Sequence, residues 1–112
     1  MDSTRQKKIS RLLQKEISEI FQREMRQVSL GTMVSVTVVR ISPDLGQAKA
    51  YLSIFPTGNI EEVMKEINEQ TSQIRFALGK RVGKQMRIIP ELKFYVDDSL
   101  DYLDNIDRLL KD

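Results

Sequence analysis

The chain has 112 residues, of which 40% are hydrophobic and 30% charged, a balance typical of one small globular domain. It contains neither cysteine nor histidine, which excludes disulfides and thiolate metal sites and removes the commonest general base. The first ten residues lack the apolar core of a signal peptide, and no later run approaches the roughly 20 apolar residues of a membrane span. We therefore expect a cytoplasmic protein that needs no cofactor and does not enter a membrane.

Charge is distributed unevenly along the chain, although the net charge is only +2. Five bases precede the second acid, Glu16: Arg5, Lys7, Lys8, Arg11 and Lys15. The segment 97–112 instead carries six acids against two bases, Arg108 and Lys111. The distribution is therefore more informative about partners than the net charge.

The first element is predicted to be a helix of about six turns. Ser3 and Gln6 fit a capping box, and apolar residues then recur at steps of three and four: Ile9, Leu12, Leu13, Ile17, Ile20, Phe21 and Met25. Lys8, Arg11 and Lys15 fall on the opposite face. Cations in the first turns oppose the helix macrodipole. They are either a surface for a polyanion or a solvated polar face, and the segment alone leaves both interpretations open.

Two strands are predicted next. Residues 33–42 are rich in β-branched side chains, with one face expected to be formed by Val34, Val36 and Val38 and the other by Ser35, Thr37 and Val39. Residues 42–46 supply Pro, Asp and Gly in turn order, and residues 47–55 alternate again, with an apolar face of Ala48, Ala50, Leu52 and Ile54. The two runs predict a hairpin. Asn59 is then expected to cap the next helix, with Glu62 three residues on.

The next helical stripe is interrupted. Its apolar residues are Val63, Met64 and Ile67, and then Ile74, Leu78 and Val82, with Gln70, Thr71 and Ser72 between them. A polar interruption of this kind favours a break between two helices. From residue 70 to residue 90 the charged residues are all basic: Arg75, Lys80, Arg81, Lys84 and Arg87.

This basic run has two interpretations. Bases without intervening acids are suited to contacting RNA phosphates. Cations near a helix C-terminus are also favourable without any ligand, and Arg75 could simply pair with a carboxylate. Residues 86–96 then predict a strand with Leu92, Phe94 and Val96 on one side, and Pro90 indicates a bulge or an edge near its start.

The order of elements predicts an α+β fold. Helices on one face of a small three-stranded mixed sheet would cover the apolar side of each alternating strand. The predicted order is α-β-β-α-α-β. A short C-terminal amphipathic helix would follow, with Leu100, Leu103, Ile106 and Leu110 on its apolar face.

The sequence also resembles a known family. Residues 36–53, VTVVRISPDLGQAKAYLS, then Ile74-Arg75, then residues 86–94, MRIIPELKF, and finally Asp97 and Ser99 are similar to bacterial ribosome-binding factor A. The resemblance implies a single KH-like domain of the second type over residues 1–98, followed by an acidic amphipathic helix or tail over residues 99–112. It places the site at the joint between the two central helices, where members have Ala-x-Gly. Gln70, Thr71 and Ser72 stand at that joint, so the joint has neither Ala-x-Gly nor the Gly-x-x-Gly of ordinary KH domains.

The resemblance implies a function without catalysis. It is that of a ribosome assembly factor which binds the small (30S) ribosomal subunit and its 16S rRNA, assists late maturation of the pre-rRNA and supports growth in the cold. Ribosomal proteins and an assembly GTPase are further expected partners, and the free protein is expected to be a monomer. The residues expected to contact RNA are Arg5, Lys7, Lys8, Arg11, Lys15, Arg75, Lys80, Arg81, Lys84 and Arg87.

Two other functions stay open at this point. One is a general single-strand RNA-binding KH module without a ribosomal role. The other is a metal-assisted nuclease using Asp97, Asp98 and Asp101, although Ser99 as a helix cap and Asp101 in the first turn would explain that cluster structurally. Four aromatic residues could stack on bases but are more often packing residues: Tyr51, Phe55, Phe76 and Tyr95.

Overall fold

The computed structural model describes residues 4–25, 31–55 and 57–97. Within them the elements are α1 (Thr4–Glu19), β1 (Met33–Ile41), β2 (Gln47–Phe55), α2 (Ile60–Glu69), α3 (Thr71–Val82) and β3 (Glu91–Val96). A π-helical segment, Ile20–Glu24, extends α1, and a 3-10 turn, Thr57–Asn59, precedes α2. This order confirms the predicted α-β-β-α-α-β arrangement. The predicted C-terminal helix at 99–112 lies outside the described residues.

The three strands form one mixed sheet. Their order is β1-β2-β3, with β1 and β2 antiparallel and β2 and β3 parallel. The parallel pair needs a crossover, which α2 and α3 supply. One apolar core joins the helices to a single face of the sheet, and its fully buried side chains include Leu13, Ile17, Leu52, Ile67, Ile74 and Leu78. The architecture is therefore α+β and KH-like, as predicted.

A β-bulge in β1 reverses the expected faces of its second half. Val36 pairs with Leu52 and Val38 with Tyr51, so Thr37 is an extra residue on β1. The assignment of Val38 to the core face and Val39 to the other face was wrong. Val38 is 40% exposed, whereas Val39 is buried at 4%, because a one-residue shift moves every later side chain to the opposite face.

Polar side chains of α1 hold the bulge. The Nε2 group of Gln14 donates hydrogen bonds to the carbonyl oxygens of Val36, at 3.3 Å, and Thr37, at 3.1 Å. The Ser18 hydroxyl accepts a hydrogen bond from the Val36 amide at 3.1 Å. Within the part of the chain that the structure describes, β1 is an edge strand, so no strand lies beside these backbone groups on its outer side. The first helix therefore packs on β1 and also satisfies its irregular backbone.

The π-helical segment continues the buried stripe of α1. The Met25 amide donates to the Ile20 carbonyl at 2.8 Å, the five-residue spacing of a π-turn. Ile20, Phe21 and Met25 are all buried. Phe21 meets Phe94 of β3 edge to face, with ring centroids 5.8 Å apart. The aromatic contact joins the end of the first helix to the last strand.

The last strand begins later than predicted. Residues 86–90 were expected to belong to it, but β3 starts at Glu91. The amides of Gln85 and Met86 both donate to the Val82 carbonyl, at 2.8 and 2.9 Å, which turns the chain after α3. Pro90 has no amide hydrogen to pair with a neighbouring strand. Met86 is buried all the same, at 7% exposure, so it anchors a loop.

The N-terminus of α2 also differs from the prediction. Asn59 occupies the N-cap position, but its side chain makes no capping hydrogen bond. Its backbone angles, φ −118° and ψ 26°, are not the extended ones with which a cap residue aims its side chain at the first turn. The 3-10 turn that leads into the helix sets these angles.

The β1–β2 turn is closed by its own side chains. Oδ1 of Asp44 accepts hydrogen bonds from the Ser42 hydroxyl at 2.7 Å and the Gly46 amide at 3.0 Å. The Ser42 oxygen accepts one from the Gln47 amide at 2.9 Å. Leu45 has a positive φ of 60°, a conformation that non-glycine residues seldom adopt. The Ser42 and Gly46 hydrogen bonds lower the pKa of Asp44 below its ordinary value of 3.8.

We expect Gln14→Ala to destabilise the protein because it leaves two carbonyl groups of the bulge without their partner. The expected loss in free energy of unfolding is roughly 1–2 kcal/mol, measured by urea unfolding. Gln73→Ala is the matched control, since Gln73 is an exposed helical glutamine. Equal stability of the two variants would show that the bulge does not need the Gln14 side chain.

The Asp44 turn predicts a pH-dependent contribution to stability. Because the carboxyl pKa is lower in the folded chain, the stabilisation is complete above the unfolded value of 3.8 and is lost as the pH falls through the folded value. Asp44→Ala should therefore cost more at neutral pH than in acid, as measured by urea unfolding at both. Asp44→Asn keeps an acceptor oxygen without the charge and should remove this pH dependence. The same loss at both pH values would contradict the assignment.

Candidate nucleic-acid interface

The polar interruption predicted between the central helices is a break in the structure. α2 ends at Glu69 and α3 begins at Thr71, with Gln70 at φ −102° and ψ 13° between them. The Gln70 amide closes α2 by donating to the carbonyls of Glu66 and Ile67, and its own carbonyl accepts the first hydrogen bond of α3, from the Ile74 amide at 3.0 Å. One residue thus ends one helix and starts the next.

The Thr71 hydroxyl strengthens this joint. It lies 3.1 Å from the carbonyl oxygens of both Ile67 and Asn68. These are carbonyls of the last turn of α2, and the Ile67 carbonyl also accepts the hydrogen bond from the Gln70 amide. A hydroxyl at this position therefore satisfies the end of α2 and helps to fix the angle between the helices.

A groove of about 880 Å³ opens beside the joint, between α3 and the chain that leads into β3. Its lining is Thr71, Ser72, Arg75, Phe76, Gly79, Lys80, Ile89, Glu91 and Leu92. Four residues predicted from the sequence as site residues meet here: Thr71, Ser72, Arg75 and Lys80. Gln70 is part of the joint but is not part of this lining.

Arg75 builds the wall of the groove. Its Nε donates to the Pro90 carbonyl at 3.1 Å and its Nη2 to the Ile89 carbonyl at 2.6 Å. Arg75 therefore pairs with two backbone carbonyls, and the alternative that it pairs with a carboxylate was wrong. The Cβ position of Gly79 is 3.5 Å from Cγ1 of Ile89, so α3 approaches this segment closely. Arg75 remains exposed and lines the groove.

Phe76 and Lys80 form the outward-facing part of the groove. Phe76 is 67% exposed, and Nζ of Lys80 lies 4.7 Å from its ring centroid. This is within the range of a cation–π contact. An exposed ring next to a cation is suited to a nucleotide, whose base stacks on the ring while its phosphate meets the charge.

Arg81 has a different role from the one predicted. Its guanidinium meets three carboxylates, with Nη1 at 3.0 Å from Glu16 and 2.8 Å from Glu19, and Nε at 3.0 Å from Glu24. The hydrogen bond to Glu16, together with those to Glu24 and Glu19, raises the pKa of Arg81 above its ordinary value. The side chain is only 22% exposed. We therefore leave Arg81 out of the candidate interface, because its donors bind α1 and the π-helical segment.

The other predicted bases are exposed but do not line the groove. They are Lys84 and Arg87 after α3, and Arg5, Lys7, Lys8, Arg11 and Lys15 on α1. Within the described part of the chain, no acid forms an ion pair with any of them. Lys84 and Arg87 extend the positive surface beyond α3, whereas the bases of α1 form a second patch on another helix.

The sequence did not identify Gly79, Ile89, Glu91 and Leu92 as groove residues. Pro90 is the sequence signal that could have identified them. Because proline has no amide hydrogen for strand pairing, the residues before it are better predicted as a loop beside α3 than as part of the strand. Over residues 4–25, 31–55 and 57–97, no cluster of three or more acids is arranged to hold a metal ion. Asp98 and Asp101, which the nuclease alternative requires, lie outside these ranges. No helix in these ranges is long and apolar enough to cross a membrane.

We expect Arg81→Met to destabilise folding, because it leaves three carboxylates facing one another without their shared cation. Ion pairs near the surface contribute roughly 0.2–1 kcal/mol each, so the expected loss for the three pairs is about 1–2 kcal/mol in urea unfolding, and less at high salt. Lys84→Met, an exposed cation two residues beyond Val82, is the control and should change stability by less than about 0.5 kcal/mol. If the two variants lost the same free energy of unfolding, the three ion pairs of Arg81 would not contribute to folding.

The family model and the sequence relatives that match this chain all belong to one family. The model of the family described as "Ribosome-binding factor A" matches residues 5–110. The ribosome-binding factor A of Christiangramia forsetii is 49% identical over 98% of this chain and 85% of its own length. That of Cytophaga hutchinsonii is 46% identical over 98% and 83%.

Solved structures share the fold. The crystal structure of ribosome-binding factor A from Thermus thermophilus has a TM-score of 0.68 and 22% identity, covering 81% of this chain and 94% of that one. A homology model of the Thermus thermophilus factor, fitted into a cryo-EM map of its complex with the 30S subunit, has a TM-score of 0.61 and 21% identity over 79% and 90%. The structures support the fold, and the sequence relatives establish the family. The chain belongs to the ribosome-binding factor A family.

Proposed function

We propose that this protein is a ribosome assembly factor without catalytic activity, which binds the small (30S) ribosomal subunit through 16S rRNA and assists late maturation of the pre-rRNA. The observation that carries the proposal is the groove beside the helix joint. It combines an exposed aromatic ring, the cations Arg75 and Lys80, and the hydroxyls of Thr71 and Ser72. The cytoplasm, growth in the cold, and contacts with ribosomal proteins and an assembly GTPase belong to the same proposal.

Family membership supports this function. The Thermus thermophilus relative has been fitted into a map of a 30S complex, so a member with the same fold occupies the small subunit. The groove supplies the chemistry that such a partner requires, because rRNA presents phosphates, ribose hydroxyls and unstacked bases together.

The proposed contact divides between two kinds of residue. Lys80, Lys84 and Arg87 are exposed cations at the end of α3 and in the loop after it, and they neutralise phosphates with release of counterions. Phe76 offers a stacking surface. Arg75 contributes from the wall of the groove, where its bonds to Ile89 and Pro90 fix its orientation before RNA binds.

The bases of α1 form the second part of the proposed RNA surface. All are exposed on the side of α1 that faces away from the core: Arg5, Lys7, Lys8, Arg11 and Lys15. Arg5, Lys7 and Lys8 stand in the first turns of the helix, where cations are unfavourable for the helix itself. A polyanionic partner offsets that cost.

The proposal predicts that charge reversal at the end of α3 weakens association with small subunits. In gradients of cell extract, wild type should sediment with small subunits or their precursors, and Lys80→Glu/Lys84→Glu should shift to the free fraction. With purified subunits, Lys80→Ala should lower the slope of log affinity against log salt by about 1, as expected for one lost phosphate contact. Lys65→Ala, on the exposed side of α2, is the matched control and should leave that slope unchanged.

Three other outcomes decide between the alternatives. Wild-type protein found only in the free fraction would argue against an assembly factor. Comparable affinity for unrelated RNAs, without preference for small subunits, would favour a general RNA-binding module. Unchanged association of the double variant would remove the end of α3 from the interface.

A further inference from the structure

The side of the sheet away from the helices carries a row of three cations. Arg40 of β1 is paired with Lys49 of β2, and Lys49 is paired with Lys93 of β3. All three side chains are exposed, and no acid of the described ranges forms an ion pair with them. We call Arg40, Lys49 and Lys93 the cation row.

The cation row is unfavourable for folding. Like charges at directly opposed positions of neighbouring strands repel each other, because their Cβ atoms lie only about 5 Å apart. The acids nearest along the strand are Glu91, two residues before Lys93, and Asp97, whose carboxylate contacts the Thr37 hydroxyl. A local arrangement that costs stability without a structural gain indicates that the residues serve a function, such as binding a partner.

An aromatic row lies next to the cation row on the same side of the sheet. Val38, Tyr51 and Tyr95 are paired across the three strands, and each lies two residues from the cation of its own strand. The rings of Tyr51 and Tyr95 are stacked, with centroids 5.5 Å apart and planes at 27°. Tyr95 is 40% exposed. Since the helices cover the opposite face, these tyrosines are not core residues.

We propose that this open face of the sheet, defined by the cation row and the Tyr51–Tyr95 pair, binds a single-stranded segment of RNA. Phosphates lie on the cation row, and a base stacks on Tyr95, the exposed member of the tyrosine pair. The two rows are separated by about 7 Å along the strands, a span that one nucleotide bridges from phosphate to base. The inference rests on the proposed function for the identity of the polyanion, but it places a second contact on a different surface from the groove.

The combination of rows favours RNA over an acidic peptide. Carboxylates of a peptide would engage the cation row alone, and nothing in a peptide of Asp and Glu requires a pair of stacked rings beside it. Bases stack on aromatic side chains irrespective of sequence, while the backbone follows a positive groove. The open face presents both features in adjacent rows.

The test measures binding of a labelled single-stranded oligouridylate to the full chain as a function of salt. Tyr95→Leu should weaken binding about tenfold, as expected for the loss of one stacked base, with an unchanged salt slope. Tyr95→Phe keeps the ring and should retain the affinity. Lys49→Gln should reduce the salt slope by about 1, whereas Lys65→Gln, its matched control, should not.

The outcomes separate this inference from the proposed function. If Lys80→Ala weakens binding while Tyr95→Leu and Lys49→Gln do not, the open face is excluded and the groove remains. If Lys49→Gln weakens binding but Tyr95→Leu does not, the face is a simple anion surface of the kind an acidic peptide would use, and the RNA assignment is wrong. If wild type does not bind the oligonucleotide but binds small subunits, the same variants tested on subunits give the same decision. Urea unfolding of each variant checks that it is folded.

Discussion

The extra residue at Thr37 is the constraint on which both sides of the sheet depend. Before the bulge, Val34 and Val36 face the helices; after it, Val39 and Ile41 do so. If the same residues continued the regular alternation of Val34 and Val36 with no bulge, Arg40 would point into an apolar core, where an unpaired guanidinium costs several kcal/mol. The bulge therefore completes the core and places Arg40 beside Lys49 on the open face. Its own backbone is satisfied by Gln14 and Ser18 of α1, so the first helix and the irregular strand depend on each other.

Basic residues of this protein have two physically different roles. Arg81 and Arg75 are arginines whose planar guanidinium groups each bind several oxygen atoms of distant segments, three carboxylates in one case and two carbonyls in the other. Such forked recognition suits arginine better than lysine. Lys80, Lys84 and Lys49 are exposed ammonium groups without such bonds within the described ranges. Charge alone does not distinguish the structural arginines from the exposed lysines, whereas the number of hydrogen bonds that each side chain donates within the protein does.

Much of the fold follows from the sequence because its patterns are unambiguous. β2 alternates apolar and polar residues without interruption, and Gln70, Thr71 and Ser72 interrupt a helical stripe with polar residues that helices do not favour. The faces of β1 could not be predicted, because Val36, Val38 and Val39 fit either register equally well. The start of β3 was placed too early because Met86, Ile88 and Ile89 are as apolar as a strand. The role of Arg81 depends on acids 57 to 65 residues away along the chain, which no local pattern reveals.

Strand β3 is the boundary between the two candidate RNA surfaces. Leu92 lines the groove on the helix side. Lys93 and Tyr95 point to the opposite side of the strand and belong to the open face. Among the strands of the described ranges β3 is an edge strand, so none of them separates the two surfaces. In the proposed arrangement, an RNA strand that leaves the groove would reach the open face by passing over a single edge. The alternation that buries Leu92 and Phe94 necessarily turns Lys93 and Tyr95 outward, and thus one short strand supplies the last layer of the core and one side of each surface.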